Sequence, residues 1–331
     1  MIRIAINGFG RIGRMVYRIA SKNENIEVVA INDLTDTEML AYLLKHDSVH
    51  GTFDKDVKYD KSHLKIDGKL VHVYNEKDPE KLPWGDISVD VVIESTGVFR
   101  QREQAAKHLK AGAKKVIISA PSKDADLSVV LGVNHTLYNK DEHDVISNAS
   151  CTTNSLAPVA KTLNDVFGIK KGLLTTVHSV TNSQNMLDAP HKKKRRSRSA
   201  ITSIIPTTTG AAEAVTKVIP ELKGKLDGMA MRVPTPDGSA SDFVVELEHD
   251  ITVDELNYAL KKASKGALKG IMEYSENDLV SSDIIGNPHS SIIDGKSTKV
   301  IGGNMAKIIA WYDNEYGYSN RTIDLVEYIM K

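Results

Sequence analysis

The only cysteine of the chain, Cys151, stands in the polar cluster Ser147-Asn-Ala-Ser-Cys-Thr-Thr-Asn154, directly before the apolar run Leu156 to Phe167. That run reads as a helix, so the sulfur occupies a helix start, where unpaired N–H groups and the positive dipole end favour thiolate over thiol. Lone cysteines are commonly inert core residues. Polar neighbours argue for a nucleophile here instead. Among 11 histidines, His178 is set apart by its place on the alternating stretch Leu173 to Val180, ahead of the polar loop Asn182-Ser-Gln184. A cysteine and a histidine together suit covalent catalysis, because imidazolium stabilises the thiolate and the ring nitrogen accepts or returns a proton. A strand histidine also serves often as a structural residue, and the sequence leaves the pairing open.

A second constellation lies at the other end of the chain. Asn7-Gly8-Phe9-Gly10-Arg11-Ile12-Gly13 follows the first β-branched run and opens the first helical one. In that context Gly8 permits a tight turn, Gly10 lets backbone approach a pyrophosphate, and Gly13 allows close packing of helix on strand. Asp33, 20 residues after Gly13, ends the second strand. A carboxylate there accepts hydrogen bonds from the ribose hydroxyls of NAD and repels the extra phosphate of NADP. A bare glycine match also arises at ordinary strand–helix junctions; strand, helix and acid in register point to a dinucleotide. Ser95-Thr96-Gly97 and Ser119-Ala120-Pro121 end later strands, where ligands lie in open parallel sheets. Combined with an activated thiol, a nucleotide fold suggests aldehyde oxidation through a thioester.

The elements that must position these groups follow two regimes. Up to residue 150, Ile2 to Ile6, Val28 to Ile31, Val89 to Glu94 and Lys115 to Ser119 read as buried parallel strands. Arg11 to Ala20 and Gln101 to Ala111 read as crossover helices, and Val71 to Tyr74 as a peripheral strand. From Cys151 the pattern becomes one helix followed by alternating strands at Leu173 to Val180, Gly228 to Val233, Asp242 to Glu248 and Lys307 to Tyr312. Ala211 to Val218 and Val253 to Lys265 read as covering helices, and Ser319 to Met330 as a terminal one. The expected fold is an α/β Rossmann cofactor domain over 1–150 plus an α+β catalytic domain over 151–314 with a mainly antiparallel sheet.

Composition limits the alternatives. The 331 residues carry 43 Lys plus Arg against 43 Asp plus Glu and are 41% apolar, which excludes disorder and any global attraction to nucleic acid or anionic lipid. A single cysteine excludes an internal disulfide framework and a multi-thiolate zinc knot, so no metal is expected. No apolar stretch is long enough to cross a bilayer, and Met1 to Ile6 reads as a strand, so a cytoplasmic location is expected.

Five segments carry a resemblance to a known family: Ala5-Ile-Asn-Gly-Phe-Gly-Arg-Ile-Gly-Arg14, Ala149-Ser-Cys-Thr-Thr-Asn154, Thr209-Gly-Ala-Ala212, Gly228-Met-Ala-Met-Arg-Val-Pro234 and Trp311-Tyr-Asp-Asn-Glu-Tyr-Gly-Tyr-Ser-Asn320. The chain resembles the phosphorylating glyceraldehyde-3-phosphate dehydrogenases of bacterial glycolysis. The resemblance implies a homotetramer, NAD as cofactor, and residues 315–331 returning to the cofactor domain. It casts Cys151 as the nucleophile attacking the aldehyde of glyceraldehyde 3-phosphate and His178 as the base. It places Thr181 and Arg232 around the substrate phosphate, and Ser150, Thr152, Arg196, Thr209 and Gly210 around the attacking inorganic phosphate. It assigns Arg11, Ile12, Asp33, Lys77, Ser119 and Asn314 to the cofactor. Three positions depart from the family pattern: Ser155 replaces a frequent second cysteine, Lys193 a usual aspartate, and Ala189 a leucine common in NAD-specific relatives.

Two rival readings remain. Erythrose-4-phosphate dehydrogenases share the fold, cofactor and nucleophile but release the acid by hydrolysis. Six of the seven residues from Lys192 to Arg198 are cationic, a pattern that also fits an RNA or polyanion footprint. No aromatic interleaves the run, so a solvated loop that also draws in phosphate-bearing substrates is the favoured reading, and nucleic acid is not expected as the primary partner.

Overall fold

In the computed structural model, which describes all 331 residues, the β-branched runs Ile2–Asn7, Ile26–Asn32, Val91–Glu94 and Lys115–Ile118 lie side by side as parallel strands. Each is nearly continuous in buried apolar residues, as strands covered on both faces must be. One face buries Trp84, Leu82 and Val89 against Ala5, Val29 and Val92. The sheet is wider and more mixed than the sequence suggested. Its order is Val57–Tyr59, His63–Ile66, Lys69–Tyr74, Ile26–Asn32, Ile2–Asn7, Val91–Glu94, Lys115–Ile118, Val145–Ser147, Leu127–Ser128. The supposedly peripheral run is therefore Lys69–Tyr74, an integral strand parallel to Ile26–Asn32 and antiparallel to His63–Ile66.

The expected helix from Gln101 to Ala111 is two short helices, Arg102–Ala105 and Lys107–Lys110. The two helices meet at Ala106, whose N–H reaches Arg102 and whose carbonyl is shared between the N–H groups of Leu109 at 3.0 Å and Lys110 at 3.3 Å. The second of them carries His108, which is fully buried.

The chain forms two compact units, Met1–Val129 with Thr136–Ala149 and Ser319–Lys331, and Val130–His135 with Ser150–Tyr318. Most of the terminal helix Tyr316–Ile329 thus belongs to the first unit, where Asn23 donates to Glu327 at 2.9 Å.

The second unit is built on an eight-stranded sheet. Ile169–His178 is paired antiparallel with Ser239–Leu247 and parallel with Leu226–Arg232; of the other pairs, only Met272–Ser275 with Ser291–Asp294 is parallel. Alternation divides the faces: Leu174, Thr176 and His178 are buried, whereas Leu173 and Val177 point outward. The helices Ala211–Val218 and Val253–Lys265 keep the bounds read from the sequence. The latter opens with a capping box in which Thr252 and Glu255 satisfy each other's N–H groups at 3.2 and 2.8 Å. No helix is long and apolar enough to cross a membrane.

Candidate active site

In the first unit the glycine turn has little room for side chains. Gly8 has φ +91°, and a Cβ there would lie 2.6 Å from the Thr96 nitrogen. At Gly13 a Cβ would sit 2.2 Å from the Gly8 carbonyl oxygen, so helix and turn touch directly. Beside Gly10, in contrast, a side chain would meet no protein atom, which leaves open space at the start of Arg11–Ala20 for a pyrophosphate. Asp33 is held at the strand end by the Phe9 N–H at 2.7 Å and the Thr35 N–H at 3.0 Å. These residues fit a dinucleotide. The Arg11 side chain is committed to Asp47 at 2.5 and 3.1 Å, so Arg11 and Ile12 face the turn as backbone at the helix start. Ser119 follows the strand Lys115–Ile118, its N–H bonded to the Glu94 carbonyl at 2.9 Å, and Lys77 is exposed on the loop after Lys69–Tyr74.

Substituting Gly8→Ala combines left-handed strain with that clash. It is expected to weaken NAD binding by about tenfold or more, measured calorimetrically, because each conformational misfit costs roughly 1–2 kcal/mol before the Thr96 contact is counted.

In the second unit Cys151 opens the helix Cys151–Phe167, as its polar neighbours imply. Ser150 caps that helix, its Oγ accepting the Thr153 N–H at 3.0 Å. The half-buried sulfur lies 3.5 Å from Nε2 of His178, the last residue of Ile169–His178. The other ring nitrogen, Nδ1, is 2.7 Å from the Ser179 carbonyl. A carbonyl can only accept, so Nδ1 carries the proton and the neutral ring turns the Nε2 lone pair toward sulfur. Tyr312 lies edge-on to the imidazole at 6.0 Å. Its hydroxyl joins Thr152 and Thr176 at 2.9 and 2.8 Å.

The electrostatics correct one expectation. Burial pushes the Cys151 thiol up, outweighing the opposing pull of Arg232 and Thr152. Burial together with Arg232 and Arg196 holds His178 at about 3, against the pull of the Ser179 carbonyl. Near neutral pH the pair is therefore a thiol and a neutral imidazole. The helix start alone does not ionise the sulfur, and no imidazolium stands ready to do so.

Two arginines border this pair. Arg232, paired in register with His178, donates from one Nη1 to the Ser179 carbonyl and the Thr181 hydroxyl, both at 3.0 Å, and its buried Nε has no acceptor. Arg196 donates to Thr207 at 3.1 Å and Ser183 at 3.2 Å. Thr181 and Ser183 are joined at 3.0 Å, so hydroxyls link the two guanidinium groups. Neither arginine has a carboxylate partner. Thr209 and Gly210 lead into the helix Ala211–Val218, with the Ala211 N–H on Thr209 Oγ1 at 3.1 Å. Asn314 is buried, its side-chain oxygen held by Ser239 at 2.5 Å. Within the basic run, Lys193 donates to Thr208 at 2.7 Å and Arg198 pairs with Asp188 at 2.7 Å, so the loop is partly tied into its own unit.

Comparison with known proteins decides the family. Residues 2–102 match the family described as glyceraldehyde 3-phosphate dehydrogenase, NAD binding domain, and residues 150–314 match its C-terminal domain. The chain belongs to the glyceraldehyde-3-phosphate dehydrogenase family. It is 61% identical over 328 residues to the glyceraldehyde-3-phosphate dehydrogenase of Priestia megaterium, covering 99% of this chain and 98% of that one. The counterpart from Geobacillus stearothermophilus is likewise 61% identical over 328 residues, with the same coverage. That of Thermotoga maritima is 60% identical over 333 residues and is covered completely. Membership makes the chain an NAD-dependent oxidoreductase, with NAD as its dinucleotide.

Sequence reasoning passed over Tyr312, Thr176, Ser183 and Thr207 as site residues. Tyr312 carried a signal: it ends the alternating strand Met305–Tyr312 on the buried face, where a phenol needs a polar partner. The two hydroxyls Ser183 and Thr207 carried none, since their partner Arg196 arrives from a separate loop.

Proposed function

We propose that the chain oxidises D-glyceraldehyde 3-phosphate to 1,3-bisphosphoglycerate with NAD and inorganic phosphate, as a step of glycolysis in the cytoplasm. The observation that carries this reading is the 3.5 Å contact of sulfur with Nε2, bordered by two arginines that lack carboxylates. The Cys151 thiol passes its proton to Nε2 of His178 as sulfur attacks the aldehyde carbon, and returning that proton to the new oxygen gives a hemithioacetal. NAD, when bound, supplies the hydride acceptor. His178 takes the hydroxyl proton as the carbon–hydrogen electron pair leaves, and the carbon becomes a thioester on Cys151.

Arg232 and Thr181 hold the substrate phosphate, the guanidinium offering its unpaired Nε. Arg196, Ser150, Thr152, Thr209 and Gly210 hold the inorganic phosphate whose oxygen displaces Cys151. Arg11, Ile12, Asp33, Lys77, Ser119 and Asn314 bind NAD. The outward sheet face, with Leu173, Val177, Met229 and Met305 exposed, supports assembly into a homotetramer.

The test is NADH absorbance with the purified protein, NAD and glyceraldehyde 3-phosphate, with and without phosphate. Turnover that requires phosphate is expected. Equal rates without it, or faster turnover of erythrose 4-phosphate, would replace this reading with the hydrolytic one.

A further inference from the structure

A buried carboxylate lies beneath the glycine turn and takes no part in the chemistry above. Glu94 ends the strand Val91–Glu94 and is 2% exposed, amid Asn7, His108 and Trp84, all fully enclosed. The hydrogen-bond polarity around it can be assigned group by group. Trp84 Nε1 can only donate, and it lies 2.9 Å from His108 Nδ1, so that nitrogen accepts. The ring proton is then on Nε2, which donates to Glu94 Oε2 at 3.1 Å. Asn7 Nδ2 donates to the same oxygen at 2.5 Å. The Asn7 amide cannot be reversed, because its oxygen accepts from Asn32 at 2.7 Å and Asn32 in turn accepts the Glu76 N–H at 2.9 Å. Glu94 Oε1 takes the Thr96 N–H at 2.9 Å and the Thr96 hydroxyl, whose own oxygen accepts from the Val98 N–H at 3.1 Å. Four donors thus converge on one carboxylate.

Those donors belong to two different turns. Asn7 immediately precedes Gly8, and Thr96 lies in the Ser95-Thr96-Gly97 turn at the end of the adjacent parallel strand. The two turns interlock: Ser95 Oγ donates to the Gly8 carbonyl at 2.6 Å, and Gly8 lacks the side chain that would strike Thr96. Both lie at the carboxyl ends of neighbouring strands, where an open sheet receives its nucleotide. We infer that Glu94 is a positioning residue for NAD, bracing the glycine turn and the Thr96 turn from below in the geometry that the pyrophosphate requires. His108 and Trp84 back it by fixing which atoms donate. A neutral amide of the same shape cannot replace it, since its NH2 would oppose a donor on either side.

Glu94→Gln tests the assignment. The NAD dissociation constant measured by calorimetry, and the KM for NAD, are expected to rise about tenfold or more, the loss of roughly one hydrogen bond to a charged group. The KM for the aldehyde and kcat at saturating NAD should stay within about twofold of wild type, as expected for remote, independent groups. Thr96→Val removes one of the four bonds to Glu94, together with the exposed bond from the Val98 N–H, and should raise the KM for NAD by a smaller factor. It decides the matter if the glutamine variant fails to fold. Wild-type NAD affinity in a folded Glu94→Gln protein, or in Thr96→Val when only that variant folds, would overturn the inference. So would equal losses in kcat and in both KM values, which would mark a general packing role.

Discussion

Cys151→Ser is expected to lower NADH formation at saturating NAD, aldehyde and phosphate on the order of 10⁴-fold or more, the scale seen when a nucleophile is removed from an otherwise intact site. Two considerations make the sulfur hard to replace in the proposed reaction. The resting thiol must give up its proton to a ring held at about 3, a weak acceptor, so the more acidic and more nucleophilic sulfur is favoured over a hydroxyl. In the proposed reaction the acyl group then leaves to phosphate, and thiolate is a better leaving group than alkoxide. The substitution leaves the helix start intact, because Ser150 caps the helix independently of residue 151. The variant should therefore fold normally and bind NAD within about twofold of wild type, which separates lost chemistry from lost structure. Turnover equal to wild type would remove Cys151 as the nucleophile.

Why the two site halves differ in legibility follows from the range of the interactions involved. Gly8, Gly10, Gly13 and Asp33 are fixed by one strand–turn–helix unit and its neighbouring strand, so local spacing carried the information. Cys151 was legible for the same reason, since a helix start is a local event. Its meeting with His178 is not local. It depends on the strand Ile169–His178 pairing with Leu226–Arg232 and Ser239–Leu247 so that one buried face presents His178, Thr176 and Arg232 together. The hairpin Val57–Tyr59 and His63–Ile66 was missed because its lysine-rich pattern gains its face only by adding to Lys69–Tyr74.

The resting charge state was the least legible property. Helix-start arguments count the dipole, whereas burial leads for both groups: it outweighs Arg232 in raising Cys151, and it is joined by Arg232, at a strand end, and Arg196, in the 3-10 helix Lys194–Ser197, in lowering His178. On the proposed assignment, a phosphate dianion seated on Arg232 and Arg196 would oppose the positive field that adds to burial in depressing His178.

His178→Asn has the second largest expected effect, a loss of about 10²- to 10⁴-fold in kcat, as for removal of a positioned general base. Its stability provides an independent check with a definite sign. His178 binds a proton near pH 6.5 in the unfolded chain but only at about 3 in the folded one, so between those values the unfolded state holds the extra proton. The stability contributed by the neutral, buried ring is fully present above pH 6.5 and is lost as pH falls toward 3, by about 3 kcal/mol at pH 4.5 from 1.36 kcal/mol per unit. Asparagine does not titrate. Denaturant unfolding of both proteins from pH 7 to 4.5 should therefore show wild type losing stability more steeply than the variant, whatever constant offset the substitution adds. Saturating phosphate should narrow the gap by raising the folded-state pKa of His178. Parallel stability profiles would mean that the ring takes up its proton equally in both states, and the neutral resting pair would have to be abandoned.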